Sequence, residues 1–182
     1  MKKIKTTIDG LYKIKYEAYK DSRGYFFESW NKNKLIELDI NIDFLQDNIS
    51  ISKKNVIRGL HFQKDPFSQA KLVQVLRGKV IDVIVDLRKD SKTFKKHEKI
   101  ILKENDNMML LIPKGCAHGF ISLENQTIFS YKCSEYYNNK SEFTLTWNDT
   151  EIGVNWGIDN PIISEKDKNG LSLKEIINKK YI

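Results

Sequence analysis

The sequence predicts an all-β protein, an antiparallel β-sandwich of the jelly-roll type with short peripheral helices. The centre of the chain is a series of short apolar runs at hairpin spacing, separated by turn residues. Helical patterns are confined to two short segments, and no long helix stands between the runs. A parallel βαβ sheet would need such helices, so a sandwich or jelly roll fits best.

The strands can be placed one by one. Residues 71–87, KLVQVLRGKVIDVIVDL, form two apolar runs that break at Arg77–Gly78. In the second run, apolar residues occupy alternate positions from Ile81 to Leu87, and Asp82 and Asp86 share the other face. The runs that follow are KIIL (99–102), MMLLI (108–112), HGFISL (118–123) and TIFSYKC (127–133).

Two segments have helical signals. NKNKLIEL (31–38) is expected to form a short helix capped by Asn31. SLKEIINKK (172–180) begins with Ser172 and has Glu175 three residues later, which is a capping-box pattern. With no repeat and no low-complexity linker, residues 1–182 are expected to form a single domain that ends in this helix.

Composition indicates a globular protein of the cytoplasm. The chain is 40% hydrophobic, yet no apolar run approaches the roughly 18 to 20 residues that a membrane span requires. The opening MKKIKTTIDG has lysines but no apolar segment after them, so no signal peptide is predicted. Cys116 and Cys133 lack a CxxC or metal-type spacing and are interpreted as buried, reduced thiols.

The charge balance is basic, with 31 Lys and Arg against 24 Asp and Glu, a net charge of +7. The lysines are scattered along the whole chain, whereas a nucleic-acid-binding surface usually clusters them. No nucleic-acid partner is therefore predicted. The surplus suits solubility, a lysine-biased proteome or an anionic small-molecule ligand.

Common catalytic motifs are missing. The three histidines, His61, His97 and His118, form no HxH or HExxH pattern, and His97 lies in the lysine-rich stretch TFKKHEK, so we expect it at the surface. No metal site is therefore predicted. The chain also lacks the GxSxG motif of serine nucleophiles and the GxGxxG and P-loop motifs of nucleotide binding, and no cofactor is predicted.

Polar residues embedded in the apolar runs are the remaining candidates. Any one of them could be a satisfied core or rim contact, but burying several cations and imidazoles is costly unless they line a pocket. The interior of a jelly roll can provide such a pocket. The group comprises Arg58, His61, Lys71, His118, Tyr131 and Tyr136.

These side chains favour proton abstraction next to a ketone, without a cofactor. An imidazole can take a proton, a tyrosine can return one from the opposite side, and a lysine or histidine can stabilise the oxyanion. Arginine suits a phosphate or diphosphate. One difficulty is that Arg58 and His61, three positions apart in VIRGLHFQK, would point to opposite faces of an ideal strand. Either Gly59 marks a bulge or the two residues serve different surfaces.

Eight stretches of the chain carry a family pattern, in the order DSRGYFFESW, FLQDNIS, VIRGLHFQ, QAKLVQVLRGKVIDVIVDLR, IPKGCAHGF, YKCSEYY, WNDTEIGVNW and SEKDKNG. Together they resemble the dTDP-4-dehydrorhamnose 3,5-epimerase family, which has the RmlC-like cupin fold. The resemblance runs from about residue 4 to about residue 170. It implies a jelly-roll homodimer that inverts C3 and C5 of a nucleotide-linked 4-keto-6-deoxyhexose, with the dTDP-linked sugar as the expected substrate, without metal or coenzyme.

The resemblance also implies residue roles. His61 is similar to the family's general base, Asp167 to the carboxylate paired with that imidazole, and Tyr131 to the general acid. Lys71 and His118 match groups near the sugar and its developing enolate. The family's remaining substrate-binding positions correspond to Arg58, the expected diphosphate ligand, and to Gln46, Asp47, Asn48, Tyr136, Glu142 and Lys166. Its nucleotide end corresponds to Arg23, Phe26 and Glu28, with Phe26 stacking on the base from the partner subunit.

Departures from the family pattern are mild and leave alternatives open. Ile49 stands where a histidine is common, and Asn55 stands where glycine is usual. Relatives of this kind include enzymes that invert C3 only and enzymes that act on GDP- or CDP-linked sugars. A different class, a non-catalytic jelly-roll module that binds a sugar nucleotide, would not need an opposed base and acid.

Overall fold

The fold is a sandwich of two antiparallel sheets, seen in a computed structural model that describes residues 1–182. Short helices lie outside it, as the sequence predicts, and so does a small two-stranded sheet that was not predicted. The strands are β1 (Lys2–Lys5), β2 (Tyr12–Lys15), β3 (Tyr19–Asp21), β4 (Gly24–Phe26), β5 (Gln46–Ser52), β6 (Ile57–Gln63), β7 (Lys71–Arg77), β8 (Lys79–Asp86), β9 (His97–Lys103), β10 (Met108–Ile112), β11 (Cys116–Ser122), β12 (Thr127–Cys133) and β13 (Glu142–Thr144).

The two large sheets alternate along the chain. The six-stranded sheet has the order β1-β2-β10-β7-β12-β5, the five-stranded sheet has the order β13-β6-β11-β8-β9, and β3 pairs only with β4. Of the consecutive strands from β7 to β12, only β8 and β9 pair directly. The hairpin spacing in this region therefore mostly reflects short connections that cross from one sheet to the other, which is the jelly-roll arrangement.

The strand β8 shows why the crossing pattern is stable. Its alternate residues Val83 and Val85 pack outward, whereas Val80 and Ile84 pack between the two sheets, so both faces are buried. Asp82, which the alternation places on a polar face, is fully buried in the interior. A strand covered on both faces is stabilised by the sandwich itself and by the chain that packs outside it.

Three apolar clusters hold the layers together. The first lies between the two sheets and includes Ile84, Leu110 and Phe129. The second lies on the outer face of the five-stranded sheet, where the C-terminal segment covers it through Trp156 and Ile176. The third lies on the outer face of the six-stranded sheet, beneath the helix α1 (Lys32–Ile36).

The two predicted helices are present, and a third was not predicted. α1 (Lys32–Ile36) begins after the N-cap Asn31, and α3 (Leu173–Asn178) begins after Ser172 with a complete capping box to Glu175. The unpredicted helix, α2 (Glu165–Lys168), has only four residues and follows the N-cap Ser164. No helix in the structure has the length and apolar character needed to cross a bilayer.

Asn55 illustrates a local constraint. Its φ angle is +68°, a left-handed conformation that asparagine tolerates better than most residues. This explains how the chain accommodates asparagine at a position where the family pattern has glycine.

Candidate active site

A polar cavity of about 280 Å³ lies between the two sheets. Both sheets contribute to its wall, and α2 closes one side. The lining residues are Ser50, Arg58, His61, Lys71, His118, Gly119, Phe120, Phe129, Tyr131, Ser164, Lys166 and Asp167. The pocket predicted from polar residues in apolar strands is thus present, and it contains five of the six residues that predicted it.

A bulge in β6 brings Arg58 and His61 into the same cavity. The register pairs His61 with His118 and Arg58 with Phe120, so two residues of β6 stand opposite the single residue Gly119. β6 and β11 approach each other closely here, since a β-carbon added to Gly59 would lie only 2.5 Å from the Gly119 Cα and only glycine leaves room for the contact. The first of the two alternatives raised by the sequence, a bulge at Gly59, is confirmed.

His61 is paired with a buried carboxylate. Its Nε2 lies 2.7 Å from Asp167 Oδ1, and the Gly59 backbone N–H donates to Asp167 Oδ2 over 3.1 Å. Burial tends to raise the pKa of Asp167, but the hydrogen bonds from His61 and Gly59 outweigh burial and hold this pKa below its ordinary value. An ionised carboxylate only accepts hydrogen bonds, so we assign the proton to Nε2, which leaves Nδ1 as the basic nitrogen of the neutral ring.

Helix α2 positions Asp167. Its Ser164 side chain accepts a hydrogen bond from the Asp167 backbone N–H, and the Asp167 residue is only 3% exposed. Residue types alone would place SEKDKNG in an exposed turn, and only the family resemblance identifies Asp167. The one local signal is the S-x-x-D spacing of Ser164 and Asp167, which predicts a helix start but not a buried carboxylate.

Tyr131 approaches the cavity from the other sheet. It belongs to β12 of the six-stranded sheet, whereas His61 belongs to β6 of the five-stranded sheet. Burial raises the pKa of Tyr131 above its ordinary value, so the phenol is protonated at neutral pH. The cavity therefore has an imidazole on one wall and a proton-bearing phenol on the other.

Lys71 and His118 complete the interior. His118 Nε2 lies 2.8 Å from Asp82 Oδ1, and burial raises the pKa of Asp82, whose other oxygen has no hydrogen-bond partner. Burial lowers the pKa of Lys71. A negative charge developing in this cavity would favour the protonated amine and so would be stabilised by it.

Arg58, the predicted phosphate ligand, lines the cavity beside β5. The Arg58 guanidinium donates from Nε to Ser52 Oγ over 3.1 Å and from Nη2 to the Ile51 carbonyl over 3.3 Å. These bonds fix its orientation and leave further N–H groups available for an anion.

The three predicted residues of β5 do not behave alike. Gln46 and Asn48 lie on the inner face, where Gln46 Nε2 donates to Asn48 Oδ1 over 2.9 Å. The Asp47 side chain lies on the opposite face and accepts from Lys132 Nζ over 2.7 Å. The alternation of the strand therefore turns the Asp47 carboxylate away from this cavity, and its role in substrate binding stays a prediction.

Glu142 and Lys166 meet beside the cavity. Glu142 Oε2 accepts from Lys166 Nζ over 2.6 Å and from the Tyr137 hydroxyl over 2.9 Å. Burial favours a raised pKa for Glu142, but these hydrogen bonds outweigh it and the pKa is lowered. Tyr136, by contrast, follows β12 in a loop, is 60% exposed and does not line the cavity, so its placement on a strand of the pocket is wrong.

The predicted nucleotide-end residues lie outside this cavity. Arg23 pairs with Asp21 in the β3–β4 hairpin, and Phe26 is 67% exposed. Glu28 accepts hydrogen bonds from Asn31 and Lys34. Within one chain the structure does not bring these residues to His61.

The titratable residues do not form a metal cluster. No group of three or more His, Cys, Asp and Glu side chains is positioned to hold a metal ion. His97 begins β9 and does not line the cavity. Cys116 and Cys133 are buried free thiols, as the sequence predicts.

Comparison with known proteins decides the family. The model of the dTDP-4-dehydrorhamnose 3,5-epimerase family matches residues 5–175, which is most of the chain. The chain belongs to this family. The resemblance detected in the sequence is thereby confirmed, and so is the all-β jelly-roll fold.

Individual relatives support the same assignment. The chain is similar to the dTDP-4-dehydrorhamnose 3,5-epimerase of Methanothermobacter thermautotrophicus, with 43% identity over 94% of each chain. A crystal structure of the Bacillus anthracis epimerase with TDP and PPi bound has a TM-score of 0.91 and 44% identity, covering 94% of this chain and 98% of that one. The Legionella pneumophila epimerase in complex with dTDP-4-keto-L-rhamnose has a TM-score of 0.93 and 39% identity, covering 100% and 96%.

Proposed function

We propose that this member of the epimerase family inverts C3 and C5 of dTDP-4-dehydro-6-deoxy-D-glucose to give dTDP-4-dehydro-L-rhamnose, without a cofactor. The observation that carries the proposal is the opposition of two proton-transfer groups across one cavity. The His61–Asp167 pair lies on one wall and the protonated Tyr131 phenol lies on the other. A pocket that only binds a sugar nucleotide does not need this arrangement.

Each inversion is a pair of proton transfers. His61 removes the proton from the carbon next to the C4 ketone, and the C–H electron pair becomes part of an enolate. Tyr131 then donates its phenol proton to the same carbon from the opposite face, which inverts the configuration. Solvent restores the phenol and accepts the imidazole proton before the second carbon reacts.

The enolate oxygen requires electrostatic stabilisation. Lys71 and His118 line the same cavity and can donate hydrogen bonds to the C4 oxygen as negative charge develops there. Asp167 acts on His61 instead, because its carboxylate stabilises the imidazolium that forms when the proton is taken.

The substrate's diphosphate is assigned to Arg58. Further substrate contacts are assigned to Gln46 and Asn48 on the neighbouring strand and to Glu142 and Lys166 at the edge of the cavity. The net charge of +7 would attract such an anionic substrate.

We propose that the active form is a homodimer. The hairpin residues Phe26 and Tyr19 are 67% and 62% exposed, and Ile49 and Ile51 expose 65% and 57% on the outer face of β5. A second copy would cover such a surface, and Arg23, Phe26 and Glu28 would then serve the nucleotide end of the partner's cavity. Light scattering on the purified protein tests the mass, and a monomer that turns over at full rate would contradict the proposal.

Deuterium wash-in tests the reaction. The dTDP-linked 4-keto-6-deoxyglucose, incubated with the protein in D₂O, should acquire deuterium at C3 and at C5. His61→Ala should abolish both incorporations, while the matched variant His97→Ala, outside the cavity, should retain them. Full exchange by His61→Ala would refute the assignment of the base.

The same experiment separates the alternatives. Deuterium at C3 alone would indicate a C3-only epimerase, faster exchange with a GDP- or CDP-linked sugar would change the nucleotide, and binding without exchange would indicate a non-catalytic module. We also propose that residues 1–182 act as a single cytoplasmic domain that supplies an activated 6-deoxy-L-sugar for surface polysaccharide.

A further inference from the structure

The loop of residues 134–141 connects β12 to β13 and carries Tyr137 beside the cavity. The Tyr137 hydroxyl donates to Glu142, which in turn accepts from Lys166, a residue of the cavity wall. The position of this loop therefore determines where the rim of the proposed site lies.

Gln63 holds the loop from the five-stranded sheet. Its side-chain Nε2 donates to the Phe67 carbonyl over 2.7 Å and to the Tyr136 carbonyl over 3.1 Å, and its Oε1 accepts from the Asn138 N–H over 2.7 Å. The residue is only 6% exposed. Both amide hydrogens and the amide oxygen are thus committed to backbone groups, and two of these three groups belong to the loop.

Gln46 holds the same loop from the six-stranded sheet. Its Oε1 accepts from the Tyr137 N–H over 2.8 Å, between the two loop residues that Gln63 contacts. A third glutamine, Gln69, donates to the Glu135 carbonyl over 2.7 Å. The loop is therefore tied to both sheets by side-chain amides.

We infer that Gln63 is a positioning residue for the substrate. It holds the loop of residues 134–141 in the position in which Tyr137, Glu142 and Lys166 form the rim of the cavity. Gln63 lies two positions after His61 on β6, so the amide ties the rim to the strand that carries the base. The inference rests on the proposed function, because it concerns how the proposed substrate enters the cavity past this rim.

The expected signature is a change in KM without a matching change in kcat. Gln63→Met keeps the length and volume of the side chain and removes all three hydrogen bonds. Since each bond is worth a modest amount of free energy, we expect KM to rise about tenfold while kcat stays within about twofold of the original.

Lys140 is an exposed loop residue, so we also expect trypsin to cleave after Lys140 about tenfold faster in the Gln63→Met variant.

Two further variants make the test decisive. Ile176→Val removes one methylene from a fully buried contact of α3, so it lowers the melting temperature without touching the loop. It should leave KM and the cleavage rate unchanged. Gln63→Glu, which keeps the acceptor for Asn138 but loses both donors, replaces the methionine variant if that one does not fold.

The outcomes are distinguishable. Wild-type protein that exchanges no deuterium would overturn the proposed function, and the trypsin experiment would still report on the loop. Active wild-type protein together with a Gln63 variant of unchanged KM would overturn the inference. A Gln63 variant whose kinetic change is fully accounted for by a lowered melting temperature, the property that Ile176→Val alters, would also overturn the inference. Such behaviour reflects general destabilisation.

Discussion

The His61 Nε2 lies 2.7 Å from Asp167 Oδ1, although 106 residues separate the two along the chain. Two local devices create this contact. The bulge at Gly59 turns His61 into the cavity, and the N-cap at Ser164 starts the short helix that presents Asp167. The Gly59 N–H also donates to the same carboxylate, so the bulge positions both partners.

Asp167→Asn should reduce turnover and leave the fold intact. The amide keeps the shape of the side chain but removes the negative charge that stabilises the imidazolium and selects the tautomer of His61. We expect kcat to fall about 100-fold, within the range typical of a general base and its orienting group. Glu165→Gln is the matched control, because the Glu165 side chain in the same helix is 81% exposed. Equal rates for the two variants would argue against the pairing.

Tyr131→Phe should separate exchange from inversion. Removal of the phenol oxygen leaves His61 able to take and return a proton on the same face, so deuterium should still enter while the configuration at C3 and C5 is retained. Proton NMR of the sugar measures both quantities in one sample. The control is Tyr136→Phe, whose exposed ring lies outside the cavity. Unchanged inversion by the Tyr131 variant would dismiss its role as the acid.

The sequence predicts the strands of the sandwich well because their signal is local. From β7 to β12, each predicted run coincides with a strand to within about two residues of its ends. The pairing is not local. β7 and β8 are separated by Gly78 alone, yet they belong to different sheets, and the spacing of apolar runs cannot distinguish a hairpin from such a crossing.

The site was predictable wherever a polar residue interrupts an apolar strand. His61, Lys71, His118 and Tyr131 fit this description and line the cavity. Asp167 does not, since a tertiary contact buries it within a polar segment, and composition reports only average exposure. Tyr136 does not fit it either, because the predicted run and β12 both end at Cys133 and Tyr136 lies in the polar loop that follows.

Gly59→Ala should destabilise the protein strongly. The φ angle of Gly59 is +126°, and a β-carbon there would lie 2.5 Å from the Gly119 Cα and 2.8 Å from the His118 carbonyl oxygen. Strain and overlap together should lower the free energy of unfolding by about 3 kcal/mol or more.

The control for this glycine is Gly157→Ala. Gly157 also has a positive φ, +72°, but a β-carbon there would meet nothing within 4 Å. Only the backbone strain remains, and we expect a loss of about 1 kcal/mol. Urea unfolding measures both variants. Similar losses at the two positions would show that the close approach of β6 and β11 contributes little.

A buried carboxylate away from the cavity should give the protein an acid-dependent stability. Asp86 is fully buried and accepts hydrogen bonds from Arg88, Ser91 and Thr93, with distances between 2.6 and 3.0 Å. Burial acts to raise the pKa of Asp86, but these bonds outweigh it and lower the pKa from 3.8 to about 2. The folded protein therefore releases this proton more readily than the unfolded chain does.

The direction of the pH effect follows from that difference. The folded pKa lies below the unfolded value, so the stabilisation is complete above about pH 4 and is lost as the pH falls towards about 2. Its size is on the order of 2 kcal/mol. Asp86→Asn should cost about that much at pH 7 and progressively less below pH 4, as urea unfolding at several pH values would show. The exposed Asp90 lies in the loop that follows β8, and Asp90→Asn should follow the wild-type curve. A constant difference between Asp86→Asn and wild type from pH 7 to pH 2 would mean that the ionised carboxylate is not the source of the stability.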